Sequence, residues 1–233
     1  MEERSQKLLN SLIKEHIKTA EPIGSQLLVD KYKLGVSPAT VRTVLAELEA
    51  DGYIHQPHTS AGRVPTEKAY RFYVDHFLSS KDVKESEQKL LEAAFKKLAD
   101  QPQPAIKELA KHLAELSDSL VFVGFGPYDL YYTGLSNIFS QPEFRDSGVV
   151  YDLSRVVDHL DDVMVKVFMM DMAELQIMIG SRNPFGNMCS AVVSRYQFGS
   201  DERGVFGLLG PLRMDYDGNV GLVTYVKELI GNL

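Results

Sequence analysis

The sequence predicts an α+β chain in two parts, on three observations. Residues 1–80 hold three apolar helical stripes, then two short β-prone pieces and a fourth helix. From Leu120 the pattern turns to strands, with helices near 152–162 and 219–232. The charge divides as well: residues 1–80 carry ten Lys/Arg and ten Asp/Glu, whereas residues 81–233 carry fifteen and twenty-two, and so the whole net charge of −7. Helix, helix, turn, helix and hairpin is the order of a winged helix-turn-helix. The expected domains are 1–80, a winged helix-turn-helix that binds DNA; 81–116, a helical linker and packing segment; and 117–233, an α+β domain.

Each element has a local reason. Leu8, Leu9, Leu12, Ile13 and Ile17 make one apolar stripe over residues 4–19, and Glu21-Pro22-Ile23-Gly24 breaks it. Ser25 is a good N-cap for a short second helix, and Leu34-Gly35-Val36 reads as a turn. In "SPATVRTVLAELEADG", Ser37 is an N-cap, Pro38 takes the first helical position and Gly52 stands just past the end. A strand from Tyr53 to Gln56, a tip, a second strand at Arg63 and Val64, and a helix capped by Thr66 follow. Helices are expected over 84–99 and from Pro104 to Ser117. Beyond them "LVFVGFG", "DLYYTGL", "MVKVFMM", "LQIMIG", "CSAVVSRYQF" and "VFGLLGPLRMDY" read as strands.

The totals narrow the function. Apolar residues make up 44% of 233, enough for real cores. A single cysteine, Cys189, allows no internal disulfide, and the charged start "MEERSQKLL" does not read as a secretory leader. The expected location is the cytoplasm. The longest apolar stretch, around residues 163–180, is interrupted by Lys166, Asp171 and Glu174, so no membrane span is expected.

Within "HQPHTSAGRVPTEKAYR" the tip "HTSAGR" is slender and carries hydroxyls and charge. In a winged helix-turn-helix the third helix enters the major groove, and the wing follows the backbone or the minor groove. The expected DNA-binding residues on the third helix are Ser37, Thr40, Arg42 and Thr43. Those of the tip are His58, Thr59, Ser60, Gly62 and Arg63, with Lys68 and Arg71 one turn apart on the next helix. Arg42 is the candidate base reader, because arginine to guanine O6/N7 is the commonest specific contact. The bland alternatives are a hairpin that closes a small core and an Arg42 paired with Glu47 or Glu49. His55 could also touch phosphate.

"KTAEPIGSQLL", "VSPATVRTVLAELEADGYIHQPHTSAGRVPTEKAYRFYVDHFL", "GLSNIFSQPEF" and "GLLGPLRMDY" closely resemble the HrcA family of bacterial heat-inducible transcription repressors. The resemblance implies a GAF-like C-terminal domain and a dimer on an inverted-repeat operator upstream of chaperone genes. It also implies a chaperonin as a further partner, which assists the active fold. The chain departs from the family in lacking an inserted dimerising segment and part of the first half of the GAF-like domain. It has Thr43-Val44 where Asn-Asp is common, and Gly180-Ser181-Arg182-Asn183 where the family has glycine-glutamate.

The C-terminal domain offers less. Arg213 and Asp215 flank Met214 on an expected strand, and Arg182 and Arg195 are further anion candidates. Seven of the eight methionines fall at residue 164 or later, as core or as an adaptable surface. His159 with Asp158, Asp161 and Asp162 reads as a solvated helix face. No nucleophile elbow, phosphate loop or metal spacing is present, so neither enzyme chemistry, cofactor nor metal is expected. The leading expectation is a dimeric, sequence-specific repressor. The alternatives are a metabolite-responsive regulator with a GAF-like sensor and a GAF-domain enzyme with an appended DNA-binding module.

Overall fold

The structure is a computed structural model that describes residues 1–32, 37–98, 100–145, 147–172, 174–198 and 202–231. The turn expected at Leu34-Gly35-Val36 lies outside them. The chain forms two compact units, Met1–Leu78 and Ser79–Leu233.

The first unit begins with α1 (Glu3–Thr19), which buries Leu8, Leu9, Leu12 and Ile13. It ends where Ala20 turns left-handed, at φ 57°, ahead of Pro22. Helix α2 (Ser25–Tyr32) follows, then α3 (Pro38–Ala50). Ser37 caps α3 by accepting the Thr40 N–H at 3.2 Å, and Gly52, at φ 76°, lets the chain leave it. Val41, Val44, Leu45 and Leu48 turn inward and leave Arg42 and Thr43 outside. Strands β1 (Ile54–His55) and β2 (Val64–Pro65) pair antiparallel, Ile54 opposite Pro65. Helix α4 (Glu67–Phe77) seals the core with Tyr70 and Tyr73. Inside, His16 Nδ1 meets the Tyr70 hydroxyl at 2.7 Å. Glu15 receives hydrogen bonds from Lys31 and Tyr32 at 2.7 and 3.0 Å.

The second unit opens with a segment tied to a later helix. Ser79 N–H donates to Asp217 Oδ1 and Lys81 N–H to the Asp217 carbonyl. A Cβ on Gly221 would lie 1.9 Å from the Lys81 carbonyl oxygen, so only glycine lets this segment lie so close. Helices α5 (Glu85–Lys96) and α6 (Pro102–Ser117) pack on each other and belong to this unit. Strands β3 (Leu120–Gly126) and β4 (Asp129–Thr133) form a hairpin. Helix α7 (Leu135–Ser140), a 3₁₀ turn (Pro142–Arg145), α8 (Ser147–Asp158) and α9 (Leu160–Met169) come next. After β5 (Leu175–Ile179), β6 (Cys189–Phe198) and β7 (Glu202–Pro211), α10 (Tyr216–Gly231) closes the unit. The sheet runs β4-β3-β7-β6-β5, antiparallel throughout. Leu120, Phe122, Ala191, Val193, Val205 and Leu209 share one core with α7 and α9. The alternate residues Val121, Val123, Val192 and Leu208 are also buried, and α6 and α10 pack against the sheet.

Two expectations fail here. "MVKVFMM" is not a strand but the body of α9: Val163, Met164 and Val167 follow helical spacing into the core, while Lys166 stays outside. Arg213 and Asp215 are not on a strand, because β7 stops at Pro211 and both lie in the turn before α10. There Arg213 pairs with Glu143 and donates to Gln141 Oε1 at 2.7 Å. Asp215 pairs with Lys81 at 2.7 Å and accepts the Gly218 N–H.

Candidate nucleic-acid interface

Helix α3 presents Ala39, Arg42, Thr43 and Ala46 outward. Thr43 Oγ1 donates to the Ala39 carbonyl at 3.3 Å, and Thr40, half-buried, bonds back to Ser37. Among the described residues Arg42 makes no hydrogen bond or ion pair. Glu49, one of the two carboxylates of the bland alternative, is engaged elsewhere. One carboxylate oxygen accepts the Gln56 N–H at 2.9 Å. The other lies 3.0 Å from Arg63 Nε, an ion pair by proximity whose N–H is not aligned on the oxygen.

The tip is a preformed loop. Ala61 N–H closes a turn on the His58 carbonyl at 2.8 Å. Gln56 reaches inside it, and its Nε2 donates to the carbonyls of Thr59 and Ala61 at 2.9 and 2.8 Å. The loop is also strapped to the start of α2: Arg63 and Ile23 exchange two backbone hydrogen bonds of 2.9 Å. Gly62 fits against that strap, where a Cβ would come within 2.5 Å of the Ile23 backbone. Its lack of a side chain is what permits that close packing. His58, Thr59 and Ser60 remain exposed at the apex.

The remaining basic residues are occupied. Lys68 Nζ donates to the Asp51 carbonyl at 2.7 Å and sits 4.2 Å from the centre of the Tyr53 ring. Arg71 pairs with Glu67, and the side chains of Arg63 and Arg71 are each only 21% exposed. Arg42, Ser60, Gly24 and Ser25 line a common cleft over Leu45 and Gln56. The structure thus brings Arg42 and the tip together and places Lys68 by the C-terminal end of α3. The parts played by Gln56 and Ile23 escaped the sequence reading, and Glu49 entered it only as a possible partner of Arg42. Only the place of Gln56, at the strand end before Pro57, hinted at a role.

In the second unit Arg195 donates to the Phe168 and Met170 carbonyls, and Arg182 is exposed. Burial pushes the Cys189 thiol up to about 12, so the sulfur is inert. Met164, Met172, Met178 and Met214 are core, while Met169 and Met188 are 74% and 45% exposed. His159 stands near Asp162 on an exposed face. Among the described residues no three His, Cys, Asp or Glu could hold a metal, and no helix is long and apolar enough to cross a membrane.

Residues 60–220 match the family model described as HrcA protein C terminal domain. The chain belongs to the HrcA family. Several relatives carry the name heat-inducible transcription repressor HrcA. The one from Pelotomaculum thermopropionicum is 41% identical over 118 residues, which cover 51% of this chain and 34% of that protein. The one from Symbiobacterium thermophilum is 33% identical over 171 residues, 73% of this chain and 45% of that protein. The HrcA of Desulfitobacterium hafniense is 24% identical over 100% of this chain and 97% of its own length. That alignment runs over 337 positions against the 233 residues here, so it includes stretches with no counterpart in this chain. Among solved structures, one described as a hypothetical protein superposes with a TM-score of 0.75 at 16% identity, covering 100% of this chain and 98% of that one. That likeness extends the fold over both units.

Proposed function

We propose that this HrcA-family chain is a heat-shock transcription repressor that binds an inverted-repeat operator of chaperone genes as a dimer. The first unit acts as a winged helix-turn-helix, and the second as a GAF-like domain without chemistry of its own. The observation that carries the reading is Arg42, exposed on α3 and unpaired among the described residues, beside a folded tip. Arg42, Thr40 and Thr43 face the bases, and His58, Thr59 and Ser60 take phosphates. Ser37, Gly62 and Arg63 hold the shape that presents them. Lys68 and Arg71 add positive potential beside the groove.

Two winged helices related by a two-fold axis would match the symmetry of an inverted repeat. On α5 and α6, Leu91, Phe95, Leu109 and Leu113 are buried in their own unit, and Leu90 is exposed. Exposed Met169 and Met188 suit transient capture by a chaperonin. Selection from a random duplex pool tests the reading. An enriched inverted repeat bound by two subunits is the expected result, and a pool that gains no common sequence overturns it.

A further inference from the structure

Helix α1 carries a basic stripe that has no part in the interface of α3 and the tip. Arg4, Lys7, Lys14 and Lys18 follow one another at i, i+3, i+10 and i+14. At 3.6 residues per turn they fall within about 80° of arc and extend along about 21 Å of helix. Ser11 continues the same face, and no acidic residue stands within it. The opposite arc is the buried one, with Leu8, Leu9, Leu12 and Ile13. Four of the ten cations of a neutral unit are therefore gathered on one outward face.

The flanking charges do not cancel it. Glu15 borders the stripe but is buried and held by Lys31 at 2.7 Å. Glu3 reaches Lys7 at 2.6 Å in a fully solvated pair, which contributes little. Glu2 precedes the helix. Arg4, Lys14 and Lys18 form no ion pair among the described residues. The position of the stripe decides its partner. Arg4 and Lys7 line the same groove as Thr40 and Val41 in the first turn of α3. A duplex whose major groove receives α3 must pass one of its strands along that side, because the groove walls are phosphate.

We infer that the first turns of α1 form a phosphate-binding face for duplex DNA, with Arg4 and Lys7 on the strand opposite the tip and Lys14 and Lys18 extending the potential. The inference rests on the DNA-binding reading above. α3 would then be flanked by two backbone clamps, α1 on one side and the tip on the other. Phosphate contacts carry no base information, so this clamp adds affinity without specificity.

The test uses the full chain and measures log affinity against log salt for the selected operator and for a random duplex. The double variant R4Q/K7Q should lower the slope by about 0.9 for each phosphate no longer neutralised, so about 1.8 per bound subunit. It should weaken both duplexes by the same factor, tenfold or more at low salt. Glu3→Gln, which frees Lys7, should act in the opposite direction and tighten both. An R4Q/K7Q chain that binds like the wild type with an unchanged slope overturns the inference and leaves the repressor reading standing. A variant that loses self-association in sedimentation without DNA also overturns it, and assigns the stripe to the acidic unit of a second copy. A wild-type chain that binds no duplex at low salt sinks the repressor reading and this one with it. All three residues are exposed on α1, so their substitution leaves the core intact.

Discussion

Replacing Gln56 with Ala isolates how far the order of the tip contributes to binding. The substitution removes two hydrogen bonds, from Nε2 to the Thr59 and Ala61 carbonyls at 2.9 and 2.8 Å. The backbone bond from Gln56 to Glu49 survives. A hydrogen bond contributes a net 0.5–1.5 kcal/mol, so the pair contributes about 1–3 kcal/mol to the folded tip. Thr59 is exposed and Ala61 half-buried, so water replaces much of what is lost. The cost to global stability should therefore be only about 1 kcal/mol. DNA binding should suffer more. Ordering a released backbone costs about 1–2 kcal/mol per residue, and one or two tip residues would have to be ordered on docking. Operator affinity should fall by about 1–4 kcal/mol, roughly fivefold to nearly a thousandfold. Because Gln56 touches no phosphate in this scheme, the salt slope should stay unchanged. Anisotropy titrations give the affinity and slope, thermal unfolding the stability, and amide exchange at Ala61 the order of the tip. An Ala61 amide that exchanges faster in Gln56→Ala while operator affinity holds at the wild-type value would refute the reasoning.

Arg42→Ala should weaken operator binding by about 1–3 kcal/mol and random-duplex binding much less, as a base contact requires; equal losses would reduce Arg42 to a phosphate contact. Gly62→Ala should destabilise the first unit by about 1–3 kcal/mol, because the new methyl meets the Ile23 backbone, which cannot rotate away as a side chain can; an unchanged melting curve would contradict that packing. Hydrogen bonding from Lys31 holds the Glu15 carboxyl below its ordinary value. Its contribution is then fully present above the ordinary carboxylate pKa and is lost as pH falls through the folded value. Denaturant titrations should accordingly show Glu15→Gln less stable than wild type by about 2 kcal/mol at neutral pH, with the gap closing as pH falls below the ordinary carboxylate range; a constant gap would remove the ionic part of the argument. Residues 1–78 alone should sediment as a monomer and bind the operator weakly, while the full chain binds as two subunits per site; one full chain per operator would defeat the symmetric arrangement.

What could be read from the sequence is what neighbours decide. Ser37, Pro38 and Gly52 mark α3 because a cap, a preset φ and a left-handed exit act within a few residues. The spacing of Val41, Val44, Leu45 and Leu48 turns Arg42 outward for the same reason. "MVKVFMM" misled because a short apolar run suits a strand or a buried helix equally, and only the core it meets selects one. Partners across the fold were out of reach. Glu49 could have held Arg42 on its own helix, yet the hairpin returns Arg63 and Gln56 to it and leaves Arg42 unpaired among the described residues. The close packing of Gly62 on the Ile23 backbone could not be read from the tip alone. The basic stripe of α1 lay in plain view at helical spacing, but only the fold brought Arg4 and Lys7 beside Thr40. Periodicity and capping are local energies, legible in a few consecutive residues. Pairing of charges and closeness of backbones depend on which distant segments the packed core brings together, and that the tertiary structure alone decides.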